Sequence, residues 1–205
     1  MRVTYLGHAC FLLADEKFSV IFDPFTDIGY ELDFPHADFC VYSHDHYDHS
    51  ATDRVVVKEI ITKANISNFS QFVLIDSFHD EVKGQKRGNN YVIITNIGGC
   101  RVCHMGDLGE PFNEELINKI GKVDLLLLPV GGKYTIDAEN AFKYAISLDA
   151  KAIIPMHYKT ARGTVDVAGK DKFLSYFDNI KRIESCFDFE LPTELTVYDL
   201  NDSDF

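Results

Sequence analysis

Apolar residues fall in short runs along this chain, separated by polar loops, and most runs are rich in β-branched or aromatic side chains. That texture predicts strands. RVTYLGHACFLLAD (residues 2–15) and KFSVIFDPF (17–25) read as the strands of an opening hairpin, and DFCVYS (38–43) as a short strand that stops at a polar cluster. RVVVKEIITKA (54–64) is ambiguous between strand and helix, because its β-branched residues come in two separate groups. QFVLIDSF (71–78), NYVIITNIGG (90–99) and CRVCHMGD (100–107) continue the series as strands.

The second half changes rhythm. PFNEELINKIG (111–121) predicts a helix, with Pro111 near its start and Gly121 near its end. VDLLLLPVGG (123–132) is continuously apolar, as expected of a strand buried on both faces. DAENAFKYAISLD (137–149) is amphipathic, with Asp137 a candidate N-cap and Ala141, Tyr144, Ala145 and Leu148 at helical spacing. AKAIIPMHY (150–158) predicts another strand, KDKFLSYFDNIK (170–181) another helix, and ELTVYDL (194–200) a closing strand. A strand-rich first half and an alternating second half give an α/β or α+β class. With no repeat, linker or low-complexity tract to divide it, residues 1–205 are expected to form a single domain.

Composition narrows the partners. The formal charge of −12 repels phosphate backbones, so no nucleic-acid partner is expected. The opening MRVTYLGHACFLLADEKF is interrupted by His8, Asp15 and Glu16 and does not read as an export signal; no apolar run is long enough to cross a bilayer. No membrane partner and a cytoplasmic location are the expectation, and an odd count of five cysteines fits reduced thiols there. A homo-oligomer is compatible with these features, and the ending NDSDF (201–205) is expected to be a solvated tail.

The polar cluster is VYSHDHYDHS (41–50), which crowds His44, Asp45, His46, Asp48 and His49 together. A charged run is usually a solvated face, but imidazole and carboxylate are the side chains that bind divalent first-row metals. In extended chain His44 and His46 point the same way, and a following turn brings Asp48 and His49 to a second point nearby. One segment can thus offer ligands to two cations. Three further apolar strands run into a candidate ligand: QFVLIDSF into His79, CRVCHMG into Asp107 and AIIPM into His157. Open sheets collect their ligands at such strand ends.

The string His44-Asp45-His46-Tyr47-Asp48-His49 resembles the signature of metallo-β-lactamase-fold hydrolases. Asp23, His79, Asp107 and His157 follow that family's order, and G7-H8-A9 with LLLLPVGGKYTIDAENA is similar to its branch containing ascorbate-6-phosphate lactonase. The resemblance implies an α+β fold, a four-layer αββα sandwich of two mixed sheets flanked by helices, with the site along one edge. It implies that His44, His46 and His79 hold one metal, that Asp48, His49 and His157 hold another, and that Asp107 bridges them. Two divalent cations, zinc first, with manganese or iron compatible, would activate water for hydrolysis of a small-molecule ester, lactone or phosphoester. Asp48 and Asp107 are then the catalytic carboxylates. Asp107 stands where the true zinc β-lactamases use cysteine, His46 is not the glutamate of the flavodiiron branch, and the short segment between His49 and His79 leaves no room for a nucleic-acid-binding insertion.

The remaining candidates are weaker. Asp23 is expected to fix a ligand histidine by hydrogen bonds, and His8 to lie at the rim of the site or to be structural. In GQKRGNNY (84–91) Lys86 and Arg87, and further on Lys133 and Tyr134, are candidates for the pocket edge, where a cation would suit an anionic substrate. His104 is expected to face away from the site and His36 to sit in a surface loop. Cys100 and Cys103 fit a C-x-x-C-H pattern, but an apolar strand is a poor setting for haem attachment or a redox pair. A metal-binding sensor without turnover is the alternative to an enzyme.

Overall fold

The computed structural model describes residues 1–201, so the expected tail, apart from Asn201, lies outside the described residues. Strands β1 (Arg2–Gly7), β2 (Cys10–Ala14), β3 (Ser19–Phe22), β4 (Ala37–Val41), β5 (Val57–Ile61) and β12 (Cys186–Asp188) make a six-stranded sheet in the order β12-β1-β2-β3-β4-β5. Strands β6 (Phe72–Phe78), β7 (Asn89–Ile97), β8 (Cys100–His104), β9 (Leu125–Pro129), β10 (Ala152–Met156), β11 (Ile180–Ile183) and β13 (Thr196–Leu200) make a seven-stranded one, ordered β11-β13-β10-β9-β8-β7-β6. Both are mixed: the outer hairpins pair antiparallel, whereas β3–β4–β5 and β8–β9–β10–β13–β11 run parallel. The α+β sandwich expected from the resemblance is the fold observed.

The sheets pack face to face, and β9 shows why its sequence is continuously apolar. Leu125 and Leu127 point into the core between the sheets, beside Phe11, Phe22, Ile93 and Ile154, while Leu126 and Leu128 point outward under the helices. Both sets are fully buried, so truncating Leu127 to alanine costs about 2–5 kcal/mol. Helices α1 (Glu114–Ile120), α2 (Ala138–Ser147) and α3 (Asp171–Leu174) cover the outer face of the seven-stranded sheet through Leu116, Tyr144 and Phe173. Asn113 caps α1 by accepting from Glu115 N, and Asp137 caps α2 by accepting from Asn140 N at 2.9 Å. The six-stranded sheet is covered instead by loop residues Phe25, Ile28, Tyr30 and Phe34, which pack on Leu6, Cys10 and Ile21. Among the described residues no helix is long and apolar enough to cross a membrane.

Two local expectations change, one ambiguity resolves and one strand is new. The opening run is a three-stranded meander, because Gly7, at φ 103°, and His8 turn the chain inside what reads as one apolar stretch. The ambiguous segment 54–64 is a strand, β5, entered from a short 3-10 turn at Thr52–Arg54. The helix expected over 170–181 stops after Leu174. Asn179 diverts the chain: its amide donates to Leu195 O and Thr196 Oγ1, and its own carbonyl accepts from Val197 N at 3.0 Å. Residues 180–183 then pair with β13 as β11. The short strand β12 carries too little apolar pattern to have been read from sequence.

Candidate metal centre

The C-terminal ends of β4, β6, β8 and β10 converge on one point, and the residue at that point is Asp107. Its Oδ2 lies 3.1 Å from His157 Nε2, 3.2 Å from His79 Nε2 and 3.9 Å from His44 Nε2, while Oδ1 lies 3.2 Å from His49 Nε2. His46 Nδ1 is 3.0 Å from His44 Nε2. Five histidines spread from position 44 to position 157 therefore meet around one buried carboxylate. His104 does not join them: its Nε2–H donates to Ala9 O at 2.8 Å, its Nδ1 accepts from Gly106 N, and its ring stacks on Phe22. Strand alternation is not the reason, since Asp107 lies past the end of β8 on a tight turn.

The loop geometry of that turn depends on its neighbours. Gly106 sits at φ 54°, and a Cβ there would fall 2.3 Å from Ser43 Cβ and 2.4 Å from Asn90 Oδ1, so only glycine fits. Asn90, fully buried, accepts from Asp107 N at 2.9 Å and donates to Met105 O and Ser77 Oγ. Three site residues without this freedom also hold left-handed backbone: His8 at φ 55°, Asp23 at 45° and His157 at 51°. Such conformations are retained where surrounding structure over-determines them, commonly at functional sites. Here the His8 carbonyl accepts from His157 N at 3.0 Å and from Tyr5 Oη–H at 3.1 Å, tying the β1–β2 turn to the end of β10.

Hydrogen bonds behind the cluster fix which imidazole nitrogen faces inward. Asp23 accepts from Ser43 N at 2.6 Å, from Ser43 Oγ at 2.7 Å and from His49 Nδ1 at 2.8 Å. Because the Ser43 hydroxyl gives its proton to Asp23, it accepts from His44 Nδ1 at 2.9 Å. His79 Nδ1 donates to Tyr134 O at 3.0 Å. In His44 and His79 this leaves the Nε2 lone pair facing Asp107, and in His49 it leaves Nε2 as the nitrogen that gives up its proton when a cation binds, the arrangement that metal-ligating histidines adopt.

Charge makes the same demand. Burial alone pushes the His49 imidazole down, yet Asp107 and Asp23 outweigh it and lift it well above its ordinary value. Burial likewise opposes the ionised form of Asp107, but His157 and His49 hold that carboxyl well below the usual range. His44, by contrast, is kept neutral by burial and by His49 beside it. Asp107 Oδ1 and His157 Nδ1 are buried without a hydrogen-bond partner. Inward lone pairs, two buried carboxylates and an orphaned carboxylate oxygen fit cations bound between these side chains. Triplets His44–His46–His79, His44–His49–Asp107 and His8–His49–His157 each bring their ligand atoms within 4.8 Å of one another.

A cavity of about 520 Å³ opens onto the cluster, lined by His46, Asp48, Arg87, Tyr134 and Val165 among others. Asp48 faces this space, held ionised against burial by His8 and His49. Arg87 lies over the Tyr134 ring at 3.8 Å and, among the described residues, has no carboxylate within ion-pair distance. Lys86 and Lys133 are instead paired with Glu81 and Asp166. His8 is buried against His49 rather than exposed at the rim, whereas His36 is exposed just before β4. Cys100 points into the core between the sheets and Cys103 into the helix layer, so their thiols face opposite sides of β8, and burial pushes the Cys103 thiol far up.

Three supporting residues escaped the sequence reading. Ser43, just past β4, and Asn90, in β7, are ordinary polar residues until the fold brings Asp23 and Asp107 to them. Asp80 takes backbone N–H bonds from Val82, Gly84, Lys86 and Arg87, at 2.8–2.9 Å, and so shapes the loop that presents Arg87. A carboxylate followed by Gly at short range was the available signal for Asp80.

Comparison with known proteins converges on one group. Residues 2–157 match the model of a β-lactamase superfamily domain. A UPF0173 metal-dependent hydrolase from Carboxydothermus hydrogenoformans is 30% identical over 194 residues, covering 78% of this chain and 85% of its own length. A second, from Heliobacterium modesticaldum, is 31% identical over 199 residues, covering 78% and 83%. The crystal structure of a Thermotoga maritima protein assigned to the Zn-dependent hydrolases of the metallo-β-lactamase superfamily superposes with a TM-score of 0.77 at 32% identity, covering 98% of this chain and 99% of that one.

Proposed function

This chain belongs to the metallo-β-lactamase superfamily, and from that premise we propose that it is a hydrolase whose two divalent cations activate water against a small-molecule ester, lactone or phosphoester. The observation that carries the reading is the convergence of His79, His157, His44 and His49 on Asp107 within 3.1–3.9 Å. His44, His46 and His79 would hold one cation and Asp48, His49 and His157 the other, with Asp107 between them. The mixed imidazole and carboxylate donors favour zinc and accept manganese or iron. Bound there, the cations supply Lewis acidity toward the substrate oxygen and make water nucleophilic at neutral pH.

The chain's own residues do the rest. Asp48 borders the cavity as an ionised carboxylate and would orient the attacking water. A cavity of about 520 Å³ suits a small molecule. Arg87, stacked over Tyr134 and uncommitted to any carboxylate among the described residues, would bind an anionic group on the substrate in bidentate fashion. The experiment is a panel of lactones, phosphodiesters and thioesters assayed with metal-reconstituted protein. Turnover that disappears on chelation and returns with Zn²⁺ supports the enzyme; stoichiometric metal binding with no turnover on any class supports the sensor alternative.

A further inference from the structure

His8 has no part in the ligand set above, yet it occupies the place where a further ligand to the second cation would be. It is 3% exposed, and its Nε2 lies 3.2 Å from His49 Nε2 and 3.7 Å from Asp48 Oδ2. Its ring stands 4.3 Å, centroid to centroid, from that of His157. All three partners are residues assigned above to one cation.

Two readings of the 3.2 Å contact compete. In the plain one, His8 donates a hydrogen bond to His49. Because His49 Nδ1 gives its proton to Asp23, its Nε2 can accept only while the ring is neutral. Once a cation takes that lone pair, the acceptor left beside His8 is the Asp48 carboxylate. Asp48 Oδ2, at 3.7 Å, is beyond hydrogen-bond range. The second reading makes His8 a ligand. Two imidazole nitrogens on one cation, each bonded at 2.0–2.1 Å, lie about 2.9–3.4 Å apart in octahedral or tetrahedral arrangement. The observed separation of 3.2 Å falls in that interval.

The backbone agrees with the second reading. His8 holds φ at 55°, and its carbonyl is bonded by both His157 N and Tyr5 Oη–H, so the turn is built to keep this side chain inward. We infer that His8 is a ligand of the second cation, which is then held by three imidazoles, His8, His49 and His157, together with Asp48 and Asp107. The inference rests on the dinuclear reading. Each cation thereby meets three imidazoles, and the β1–β2 turn becomes part of the centre.

The test uses the full chain, metal-stripped, titrated with Zn²⁺ by calorimetry, and separately with Co²⁺ followed by visible absorption. His8→Asn is the main variant, because asparagine tolerates left-handed backbone; His8→Ala is the second. The expected result is a second equivalent of Zn²⁺ bound at least tenfold more weakly, an unchanged first equivalent, and an altered Co²⁺ spectrum for the second equivalent only. Wild-type affinity for both equivalents with an unchanged Co²⁺ spectrum in His8→Asn overturns the inference and leaves the dinuclear reading standing. A wild-type chain that takes up fewer than two cations overturns both.

Discussion

Replacing Asp23 by asparagine removes one charge and almost no volume, and the consequence can be worked out atom by atom. The carboxylate accepts three hydrogen bonds, from Ser43 N, Ser43 Oγ and His49 Nδ1. An amide can keep its oxygen on Ser43 N, where the bond is 2.6 Å, but then turns its NH₂ toward Ser43 Oγ and His49 Nδ1. The serine hydroxyl can rotate to accept. His49 can accept only by moving its proton to Nε2, which is the nitrogen facing Asp107. Losing one hydrogen bond to a charged group costs about 1.5–3 kcal/mol. Removing the partner behind a metal-ligating histidine typically weakens affinity about 10–100-fold, or about 1.4–2.7 kcal/mol. The two figures agree, so the second equivalent of Zn²⁺ should bind about 10–100-fold more weakly in Asp23→Asn. The first equivalent should change less, because Asp23 reaches His44 only through Ser43. Competition titration against a chromogenic chelator at neutral pH measures both constants, with circular dichroism as the folding control. A folded Asp23→Asn chain with both affinities unchanged would refute the idea that this carboxylate sets the tautomer of His49.

Asp107→Ala should abolish hydrolysis and lower bound zinc, measured by elemental analysis, while the circular dichroism spectrum stays native; full activity would sink the proposed centre. Arg87→Ala should raise KM for anionic substrates by roughly tenfold or more, the scale of one charge-assisted contact, with kcat little changed; an equal effect on neutral substrates would remove its specificity role. Cys103→Ala should leave activity intact and lower stability by about 1 kcal/mol in urea denaturation, since the thiol is buried among apolar side chains; lost activity with retained metal would revive a redox role. Burial, reinforced by His157, pushes the His8 imidazole down to about 4 from an ordinary 6.5. The unfolded chain then binds the proton more readily, so in metal-free protein the contribution of His8 is complete above pH 6.5 and is lost as pH falls toward about 4. Relative to His8→Asn, metal-free wild-type protein should lose up to about 3 kcal/mol across that window, read from urea midpoints.

Much of the site is legible in the linear sequence because its information is local. A run such as DFCVYS states by its own apolar pattern that it is a strand, and His44 follows directly, so the candidate ligand's place at a strand end needs no knowledge of the neighbours. The same holds for His79, Asp107 and His157, and β9 declares burial on both faces by its unbroken leucines. The candidate ligand types, their order and the α+β class follow from such segments and from the resemblance they carry. Boundaries fared worse where a side chain far away decides. Phe173 and Phe177 keep helical spacing, yet Asn179 bonds to Leu195 and Thr196 and sends the chain into β11. β12 exists only because the edge of β1 is there to pair with it.

Tertiary structure alone decided which polar groups act together. Ser43 and Asn90 become supports of the centre through contacts with Asp23 and Asp107, and no spacing rule links those pairs. Of three basic candidates, only Arg87 is left without a carboxylate partner among the described residues, since Glu81 and Asp166 engage Lys86 and Lys133. His8 shows the difference most sharply. In sequence it is an isolated histidine in an apolar stretch; in the fold a left-handed turn buries it against His49 and His157. Side-chain type and strand periodicity are properties of the segment, whereas burial, pairing and proton placement depend on groups that meet only when the two sheets close.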